Sequence, residues 1–577
     1  MKQTLLLALA CHLLVAVAAQ SPPGFKWVKT ITYSPPNSSA EVFDFCTDPP
    51  GNSYVYGIFT GTINFGGDVT LQALGAVEGY FVAKYAPNGV LGWAQKIVAP
   101  NGGAIYTIDM NPGGISADNL GNVYISGQLT NVALNFGNGV LLQRNCQGAP
   151  MCSDLFVAKF NAVGEAQWAT NGSGNAGTFQ TATRLVTDAE GSVYIAGNYG
   201  GQVLKFGNQP PYDNLEMDAM YMARFTSAGQ PAAAWFFGNG DGYTQLDHLA
   251  MIAPDQVIAT GYYDGSTLQF GNGISLEPFG SSSASNYFVA AYNPEGNAQW
   301  AYNLHAEDYM DVLDVAADTL GRPYVVVDFK SGLNSSNQEV ATTPIAGNFT
   351  GILLHLTDSV FHPVVAVHYS GAAYPVANVA VDKHNRFFIS GSFSDAQLPV
   401  GDVVLVNANK ECDDILLLSG TVDSTPLNWV RSAGGIGCEG ILSAYFGRVL
   451  ATDQAGNLYA VGSFHEVLDL DNFSKNGDGL FVTKLGTALV PTNTPPAKEQ
   501  AMDIVPNPSS GNFSIAGADL TDPIRIMLYD VQGRICYQRL AKQAVDLDFH
   551  LSIPAGVYTL EWRSKTKIGQ QKVMIIR

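Results

Sequence analysis

Aromatic, acidic and imidazole side chains recur in irregular segments of this 577-residue chain, where they are the best candidates for binding or chemistry. Tyrosine rings can stack on sugar rings, and carboxylates can accept hydrogen bonds from hydroxyl groups or bind a cation. Such a group therefore suits a carbohydrate, a peptide or a cation, although each member could equally be an ordinary solvated loop residue. The candidates are Tyr106, Asp109, Asp241, Tyr243, His305, Asp308, Tyr309 and Glu439.

The sequence signatures of common catalytic sites are missing from the chain. It has no HExxH helix, no phosphate-binding glycine loop, no Ser/His/Asp signature and no Cys/His pair at zinc spacing. Two carboxylates could still meet in space for sugar hydrolysis, and calcium could bind to acidic loops, although no EF-hand spacing is present. We therefore predict no catalytic residue and no cofactor unless it is calcium, and the metal site stays undetermined. The formal net charge of −20 argues against nucleic acid or an anionic membrane as a partner.

A ten-residue phrase, Asp-x-x-Gly-Asn-x-Tyr-x-x-Gly, organises most of the chain. Its closing positions are almost evenly spaced, which indicates seven copies of one supersecondary unit. The clear copies are Asp48–Gly57, Asp118–Gly127, Asp188–Gly197 and Asp453–Gly462. The weaker copies are Pro254–Gly261, Asp318–Val327 and Asp382–Gly391.

Each copy is followed by further short runs rich in Val, Phe, Tyr and Trp, such as Phe81–Tyr85 and a run around Trp93. Four such runs per copy predict a four-stranded antiparallel blade. The last copy lacks a tryptophan run, and Phe25–Ile31 near the N-terminus supplies one. We therefore predict an all-β fold in which residues 20–486 form a seven-bladed β-propeller closed by an N-terminal strand.

The connections within each copy differ in length. The first and third are tight, whereas the second and fourth are long and leave a blade on the same side, which we call the loop face. The fourth connections hold the candidate residues above. The second connections share a short apolar cassette that predicts an extra hairpin, at Ile63–Asp68, Leu134–Gly139, Leu204–Asn208 and Leu268–Gly273. The repeated Asp and Gly are typical of turns rather than of catalysis.

The N-terminus and the cysteines indicate export. Residues 1–19 have the pattern of a secretory signal peptide, and export permits disulfides. We predict one disulfide between Cys146 and Cys152 and another between Cys412 and Cys438. Cys46 and Cys536 are expected to be buried free thiols, but the sequence does not settle whether they pair.

The composition changes near the C-terminus. Residues 487–501 are predicted to be a Pro/Thr-rich linker, and residues 502–577 contain short strands typical of a small Ig-like β-sandwich. The residues that carry a recognisable motif are Pro506, Asn507, Pro508, Gly511, Asp530, Gly533, Gly556 and Tyr558.

These motifs resemble the type IX secretion C-terminal sorting domain (type A) of Bacteroidetes. The resemblance implies passage through the periplasm and the outer membrane, contact with the type IX machinery and its sorting peptidase, and then anchoring at the surface or release. The preceding copies resemble bacterial seven-bladed propeller repeats, a family without a general activity.

The favoured function is a cell-surface or secreted binding or adhesion module for a glycan or a protein, without catalysis. Two alternatives remain: a propeller enzyme that acts on polysaccharide, and a structural component of the surface. No membrane span is expected after removal of the signal peptide.

Overall fold

The computed structural model describes most of the chain, and the statements on structure below concern the described segments. They are residues 22–34, 36–73, 78–100, 113–130, 132–145, 153–174, 179–181, 184–188, 190–200, 203–207, 209, 212–213, 219–238, 242–252, 256–279, 286–306, 308–335, 338–344, 348–371, 373–407, 412–422, 427–433, 438–440, 448–471, 473–486, 503–516, 524–529, 535–541, 547–551, 553–563 and 568–576. The predicted signal peptide and the whole of the predicted linker lie outside these segments.

The chain divides into two compact units, Met1–Ala488 and Leu489–Arg577. The extended regular elements in the described segments are all β-strands, so the all-β prediction is confirmed. No helix in these segments is long and apolar enough to cross a membrane.

The strands of the first unit fall into seven repeats, preceded by β1 (Phe25–Tyr33). Repeat 1 contains β2 (Ser39–Thr47), β3 (Ser53–Thr60), β4 (Thr62–Asn64), β5 (Thr70–Gln72), β6 (Gly79–Tyr85) and β7 (Leu91–Ile97). Repeat 2 contains β8 (Ile115–Ala117), β9 (Val123–Leu129), β10 (Ala133–Gly137), β11 (Val140–Gln143), β12 (Asp154–Phe160) and β13 (Ala166–Gly174). Repeat 3 contains β14 (Phe179–Gln180), β15 (Arg184–Thr187), β16 (Val193–Gly200), β17 (Val203–Phe206), β18 (Tyr212–Asp213), β19 (Ala219–Phe225) and β20 (Pro231–Phe237).

The remaining repeats follow the same plan. Repeat 4 contains β21 (Thr244–Ile252), β22 (Gln256–Tyr263), β23 (Leu268–Gly271), β24 (Ile274–Leu276), β25 (Asn286–Tyr292) and β26 (Ala298–Ala306). Repeat 5 contains β27 (Met310–Ala317), β28 (Pro323–Phe329), β29 (Gly332–Ser335), β30 (Gln338–Thr342), β31 (Phe349–Thr357) and β32 (Val360–Tyr369). Repeat 6 contains β33 (Asn378–Val381), β34 (Arg386–Phe393), β35 (Gln397–Val400), β36 (Val403–Val406), β37 (Asp414–Thr421) and β38 (Trp429–Ala433). Repeat 7 contains β39 (Cys438–Gly440), β40 (Leu450–Thr452), β41 (Leu458–His465), β42 (Val467–Leu470), β43 (Phe473–Asn476) and β44 (Asp478–Leu485).

Four strands of each repeat pair antiparallel in chain order. The first six sheets are β2-β3-β6-β7, β8-β9-β12-β13, β15-β16-β19-β20, β21-β22-β25-β26, β27-β28-β31-β32 and β33-β34-β37-β38. In repeat 7, β40, β41 and β44 are followed by β1, which pairs along β44 from Phe25 opposite Leu485 to Tyr33 opposite Asp478. The first strand of each of these four-stranded sheets contacts the first strand of the next sheet, in the order β2, β8, β15, β21, β27, β33 and β40. The last of them, β40, contacts β2.

The second connection of every repeat forms a two-stranded antiparallel hairpin, which confirms the prediction from the apolar cassette. In repeat 2 the tip residues Asn138 and Gly139 have φ of 49° and 79°, as an Asn-Gly hairpin turn requires. Three hairpins also pair with the outer strand of the preceding repeat: β4 pairs with β1, β17 with β13 and β29 with β26. These pairings cover sheet edges that would otherwise be open to another chain.

A tryptophan contact links neighbouring repeats. The indole Nε1 of Trp93 donates to the carbonyl of Ala162 at 3.1 Å, and its ring lies beneath Gly164 of the next repeat. Gly164 has a φ of +87°, and a Cβ there would come within 2.6 Å of the ring, so only glycine fits. Trp27 of β1 makes the same contact with repeat 1, where its Nε1 donates to Pro87 O at 3.0 Å.

The repeated aspartate is a turn residue, as the sequence indicates. Asp118 Oδ1 accepts from the backbone N–H groups of Leu120 and Asn122, both at 2.9 Å. Its Oδ2 accepts from the side-chain amide of Asn122 at 2.7 Å and from the hydroxyl of Tyr124 at 3.1 Å. The phrase therefore builds a closed hydrogen-bonded turn opposite the loop face.

The C-terminal unit has two antiparallel sheets around one apolar core. One sheet is β45 (Asp503–Val505), β46 (Asn512–Ala516) and β49 (Asp548–His550). The other is β47 (Ile524–Tyr529), β48 (Ile535–Ala541), β50 (Gly556–Arg563) and β51 (Ile568–Ile575), in the order β48-β47-β50-β51. The core takes Phe513 and Phe549 from the first sheet and Leu560 and Trp562 from the second.

The predicted sorting motif makes structural contacts in this unit. Asn507 donates to Lys572 O at 2.7 Å and accepts from Met574 N–H at 2.9 Å, which ties it to β51. Gly511 has a φ of +98°, and a Cβ there would lie 2.3 Å from the carbonyl of Leu551. Pro506 and Pro508 each follow a cis peptide bond, and Gly556 begins β50, where the Tyr558 hydroxyl donates to Pro554 O at 2.8 Å. Asp530 and Gly533 lie outside the described residues.

The cysteines are only partly described. Cys46 is buried and free, as predicted, and Cys412 is disulfide-bonded. Cys438 lies on β39, but its side chain, like that of Cys536, is outside the described part, so the pairing of Cys412 with Cys438 stays a prediction. Cys146 and Cys152 are also outside the described segments.

Candidate functional site

Two aspartates lie side by side at the loop-face edge of repeat 5. Asp311, near the start of β27, is the register partner of Asp328, near the end of β28. Cross-strand partners project from the same face of a sheet, so their carboxylates share one environment. Asp328 is 1% exposed, and its Oδ2 has no hydrogen-bond partner in the described part of the chain. A buried acceptor without a donor costs about 1–3 kcal/mol, so this pair is not a stabilising feature of the fold.

Tyrosines from repeats 4 and 5 converge on this pair. The hydroxyl of Tyr287, in repeat 4, donates to Asp311 Oδ1 at 3.1 Å. The hydroxyl of Tyr369, on the outer strand of repeat 5, donates to Asp328 Oδ1 at 2.8 Å. Tyr309 forms a side-chain hydrogen bond with Tyr374, which precedes β33 in repeat 6. We call Asp311, Asp328, Tyr287, Tyr309 and Tyr369 the acid–tyrosine cluster.

A row of rings continues from this cluster across repeat 4. Tyr287 packs on Tyr262 and Tyr262 packs on Tyr243, with centroids 5.7 Å apart in both pairs. Tyr243 is 44% exposed, so the row ends at the surface. The carboxylate of Asp264 lies beside these rings. It accepts hydrogen bonds from the hydroxyl of Tyr262 and from the backbone N–H of Tyr243. We call Tyr243, Tyr262 and Tyr287 the tyrosine row.

Burial sets the protonation of these groups. It raises the pKa of Asp328 to about 7, which the hydrogen bond from Tyr369 opposes and the charge of Asp311 reinforces. Burial, together with the neighbouring carboxylates, also raises the pKa values of Tyr287 and Tyr369, and burial with the hydrogen bond to Tyr374 raises that of Tyr309. At neutral pH the phenols are therefore donors, and Asp328 is close to half protonated.

The raised pKa of Asp328 predicts a stability effect with a definite sign. The folded chain keeps a proton on Asp328 up to about pH 7, whereas the unfolded chain loses it near pH 4. Stability therefore falls as pH rises through this window. The Asp328→Asn variant cannot ionise, so its advantage over wild type should grow by about 1–3 kcal/mol between pH 5 and pH 8.

Urea denaturation of both proteins at pH 5, 6, 7 and 8 checks this prediction. Asp311, Tyr369 and Lys330 face Asp328 from three elements and are present in both proteins. Burial also raises the pKa of Asp314, to about 6, and this titration is likewise shared and cancels in the difference. Parallel stability curves for the two proteins would contradict the assignment.

The candidate residues from the sequence fall in different places. Tyr309 belongs to the acid–tyrosine cluster and Tyr243 to the tyrosine row. His305, at the end of β26, stacks its ring on Phe279 with centroids 4.1 Å apart, and Asp308 is exposed beside Tyr309. Tyr106, Asp109, Asp241 and the side chain of Glu439 lie outside the described residues, and a binding role for all eight stays a prediction.

The carboxylate pair itself escaped the sequence interpretation, although a signal for it exists. Asp328 occupies the position directly after the closing residue of its ten-residue phrase. The corresponding residues of the other repeats are uncharged: Ile58, Gln128, Asn198, Tyr262, Ser392 and Ser463. An acidic residue at one position of an otherwise uncharged set marks a departure that folding does not require.

A second polar group, the inner-strand cluster, lies where the inner strands of the repeats meet. It consists of the buried Asp44, Arg184, His248 and Asp314 and the partly buried Arg448. Arg448 Nη2 donates to Asp44 Oδ2 at 3.2 Å, to Ile115 O at 2.8 Å and to Leu185 O at 3.1 Å. One side chain of repeat 7 thus joins repeats 1, 2 and 3.

Within this cluster His248 is neutral. Arg184 Nη2 donates to His248 Nδ1 at 3.3 Å, and His248 Nε2 donates to Val312 O at 3.2 Å. Burial, and then the charge of Arg184, holds the pKa of His248 well below its usual range. These contacts run from repeat to repeat, so the cluster is part of the scaffold.

A metal centre is not apparent in the described segments. They contain no group of three or more His, Cys, Asp or Glu side chains that could hold a metal ion.

Comparison with protein families assigns the C-terminal unit. Residues 503–576 match the secretion system C-terminal sorting domain, which confirms the predicted type IX sorting domain in this part of the chain. The protein is therefore exported to the cell surface or secreted, and it interacts with the secretion machinery.

The repeats have more distant likenesses. A 215-residue alignment is 26% identical to the uncharacterized WD repeat-containing protein L264 of Acanthamoeba polyphaga mimivirus, and it covers 33% of this chain but only 14% of the viral protein. Among solved structures, an ulvan lyase of polysaccharide lyase family PL25 shares 10% identity at a TM-score of 0.40, with 81% of this chain and 96% of the lyase covered. A protein of unknown function from Dyadobacter fermentans shares 8% identity at a TM-score of 0.32, with 67% and 97% covered. At these scores the likenesses carry no argument about activity.

Proposed function

We propose that residues 20–486 form a seven-bladed β-propeller whose ring is closed by β1, and that residues 502–577 follow a linker as an Ig-like sandwich. The seven sheets, the contact of β40 with β2 and the tryptophan contact from Trp27 to repeat 1 support the ring. A signal peptide at residues 1–19 starts export, and the sorting peptidase removes the C-terminal unit at the surface.

The exported propeller is proposed to act as a binding module for a glycan. The observation that carries this proposal is the buried carboxylate pair of Asp311 and Asp328, with its hydroxyl donors Tyr287 and Tyr369 and the ring row that leads from it to the surface. Sugars present hydroxyl groups to carboxylates and flat apolar faces to aromatic rings, and such sites combine mostly apolar walls with a few placed polar groups.

The geometry favours binding over hydrolysis. Glycosidases place two carboxyl groups on opposite sides of the scissile bond, about 5–9.5 Å apart. Asp311 and Asp328 are register partners on adjacent strands and project from the same face of one sheet, so they approach a ligand from one side. The polysaccharide enzyme remains the second candidate because the pKa of Asp328 near 7 suits a general acid.

A binding assay with matched variants tests the proposed function. The full chain without its signal peptide is titrated calorimetrically with a panel of oligosaccharides. We expect at least one specific ligand, with affinity reduced about 5- to 10-fold by Tyr287→Phe. Tyr124→Phe is the matched control, because Tyr124 makes the same hydroxyl-to-carboxylate bond with Asp118 at the opposite edge.

The alternatives give different results in the same assay. Equal losses in both variants would place the ligand away from the cluster. Release of new reducing ends or unsaturated sugars from a bound ligand would show an enzyme. A panel without any binding would favour a structural role.

A further inference from the structure

The acid–tyrosine cluster has a charge pattern that narrows the class of glycan, if the proposed function holds. Two more aspartates add negative charge beside Asp311 and Asp328. Asp247 acts on Tyr287 through its charge, and Asp264 accepts a hydrogen bond from Tyr262 in the tyrosine row. One cation near Asp328 is Lys330, and its ammonium lies 4.0 Å from the ring centroid of Phe349. The site is thus acidic and lined by aromatic rings.

Within the described segments, one oxygen of Asp328 lacks a hydrogen-bond donor, which a ligand could supply. Asp311 receives a hydrogen bond from Tyr287 and Asp328 receives one from Tyr369, and both bonds end on Oδ1. Asp328 Oδ2 is buried and without a partner among the residues described. A donor with a positive charge would satisfy this atom and offset the repulsion between the two carboxylates.

The rings around the pair fit the same kind of group. Tyr309 and Tyr369 both pack on Phe349, with centroids 5.6 and 5.5 Å apart, and Tyr287 closes the side towards repeat 4. The faces of aromatic rings attract cations, by about 2 kcal/mol or more where water is excluded. A protonated amine bound to the carboxylates would therefore also lie close to aromatic rings.

We propose that the site binds the cationic amino group of an amino sugar, with Asp311 and Asp328 as its anchors and the tyrosine row as the platform for the adjoining sugar rings. The row favours a glycan over an isolated amine, because it extends from the anchors to the exposed Tyr243. A metal ion is the weaker occupant, since the described residues supply no group of three ligands.

Three tetrasaccharides and one peptide separate the outcomes: the glucosamine tetramer, the N-acetylglucosamine tetramer, the galacturonate tetramer and tetralysine. Calorimetry at pH 7 on the full chain without its signal peptide should give at least about tenfold tighter binding for the glucosamine tetramer than for its N-acetylated counterpart. Galacturonate should not bind. Asp311→Asn should remove the preference for the amine, whereas Tyr124→Phe should leave it intact, with both variants checked by their melting curves.

Other results overturn the inference in distinguishable ways. Equal binding of the two glucosamine-based tetramers would refute the amine site and leave glycan binding intact. Tighter binding of tetralysine than of the glucosamine tetramer would refute the amino sugar and indicate a basic protein partner. Failure of all four probes, together with binding of another glycan from the wider panel, would refute the amine site alone. Failure of the wider panel as well would refute the proposed function.

Discussion

Removal of β1 is expected to abolish the single cooperative unfolding transition of the N-terminal unit. A chain that begins at Ser34 would leave the outer edge of β44 unpaired and would expose the apolar surface that Val28 and Ile31 cover. Those two side chains alone contribute about 3–6 kcal/mol, a large part of the 5–15 kcal/mol that stabilises a typical protein. The β4 hairpin would also lose its pairing with β1.

Thermal melts and urea titrations of the truncated and complete chains check this result. A synthetic peptide of residues 22–34, added to the truncated chain, should restore part of the transition, because it carries the missing strand. An unchanged melt after truncation would refute ring closure by β1. A lower melt that the peptide does not raise would indicate a general loss of stability instead.

Arg448→Met is expected to destabilise the N-terminal unit by about 3–5 kcal/mol, because the change leaves a buried carboxylate without its cation. The side chain of Asp44 is 0% exposed. The guanidinium of Arg448 donates to it from Nε at 3.4 Å and from Nη2 at 3.2 Å, and the carbonyls of Ile115 and Leu185 would also lose a donor. Methionine has a similar length and adds no charge, so the loss should report the ion pair and its hydrogen bonds.

Two further variants separate the cause. Arg431→Met removes the pair with Asp471, whose carboxylate is 34% exposed whereas that of Asp44 is 0% exposed, and should cost about 1 kcal/mol or less. The double variant Arg448→Met with Asp44→Asn should recover part of the stability, because no buried charge then remains unpaired. Equal losses of unfolding free energy in Arg448→Met and Arg431→Met would show that the inner-strand cluster stabilises the unit no more than the Arg431–Asp471 pair does.

The local elements of the fold could be predicted because their causes are local. The turn around Asp118 is closed by residues two, four and six positions away. The hairpin at Asn138 and Gly139 needs only two residues with positive φ. The position of β1 was also predictable, because Trp27 repeats the pattern around Trp93 and repeat 7 lacks a fourth strand of its own.

The candidate site was predicted only in outline. The sequence directs attention to aromatic and acidic residues near the strand ends of repeats 4 and 5, such as Tyr309. It does not pair Asp311 with Asp328, because they lie 17 positions apart along the chain and only the register of two strands makes them neighbours. It does not bring Tyr287 to Asp311 either, because that contact crosses from one repeat to the next.

The sequence by itself determined the repeat, its strands and turns, and the sorting domain at residues 503–576, because each of these is written in residues close together along the chain. The tertiary structure decided which charges meet. Burial raises the pKa of Asp328 to about 7 beside a second carboxylate, and Arg448 reaches across to three other repeats. Electrostatic energy and desolvation depend on distance in space and on exclusion of water, and neither quantity exists until the repeats pack together.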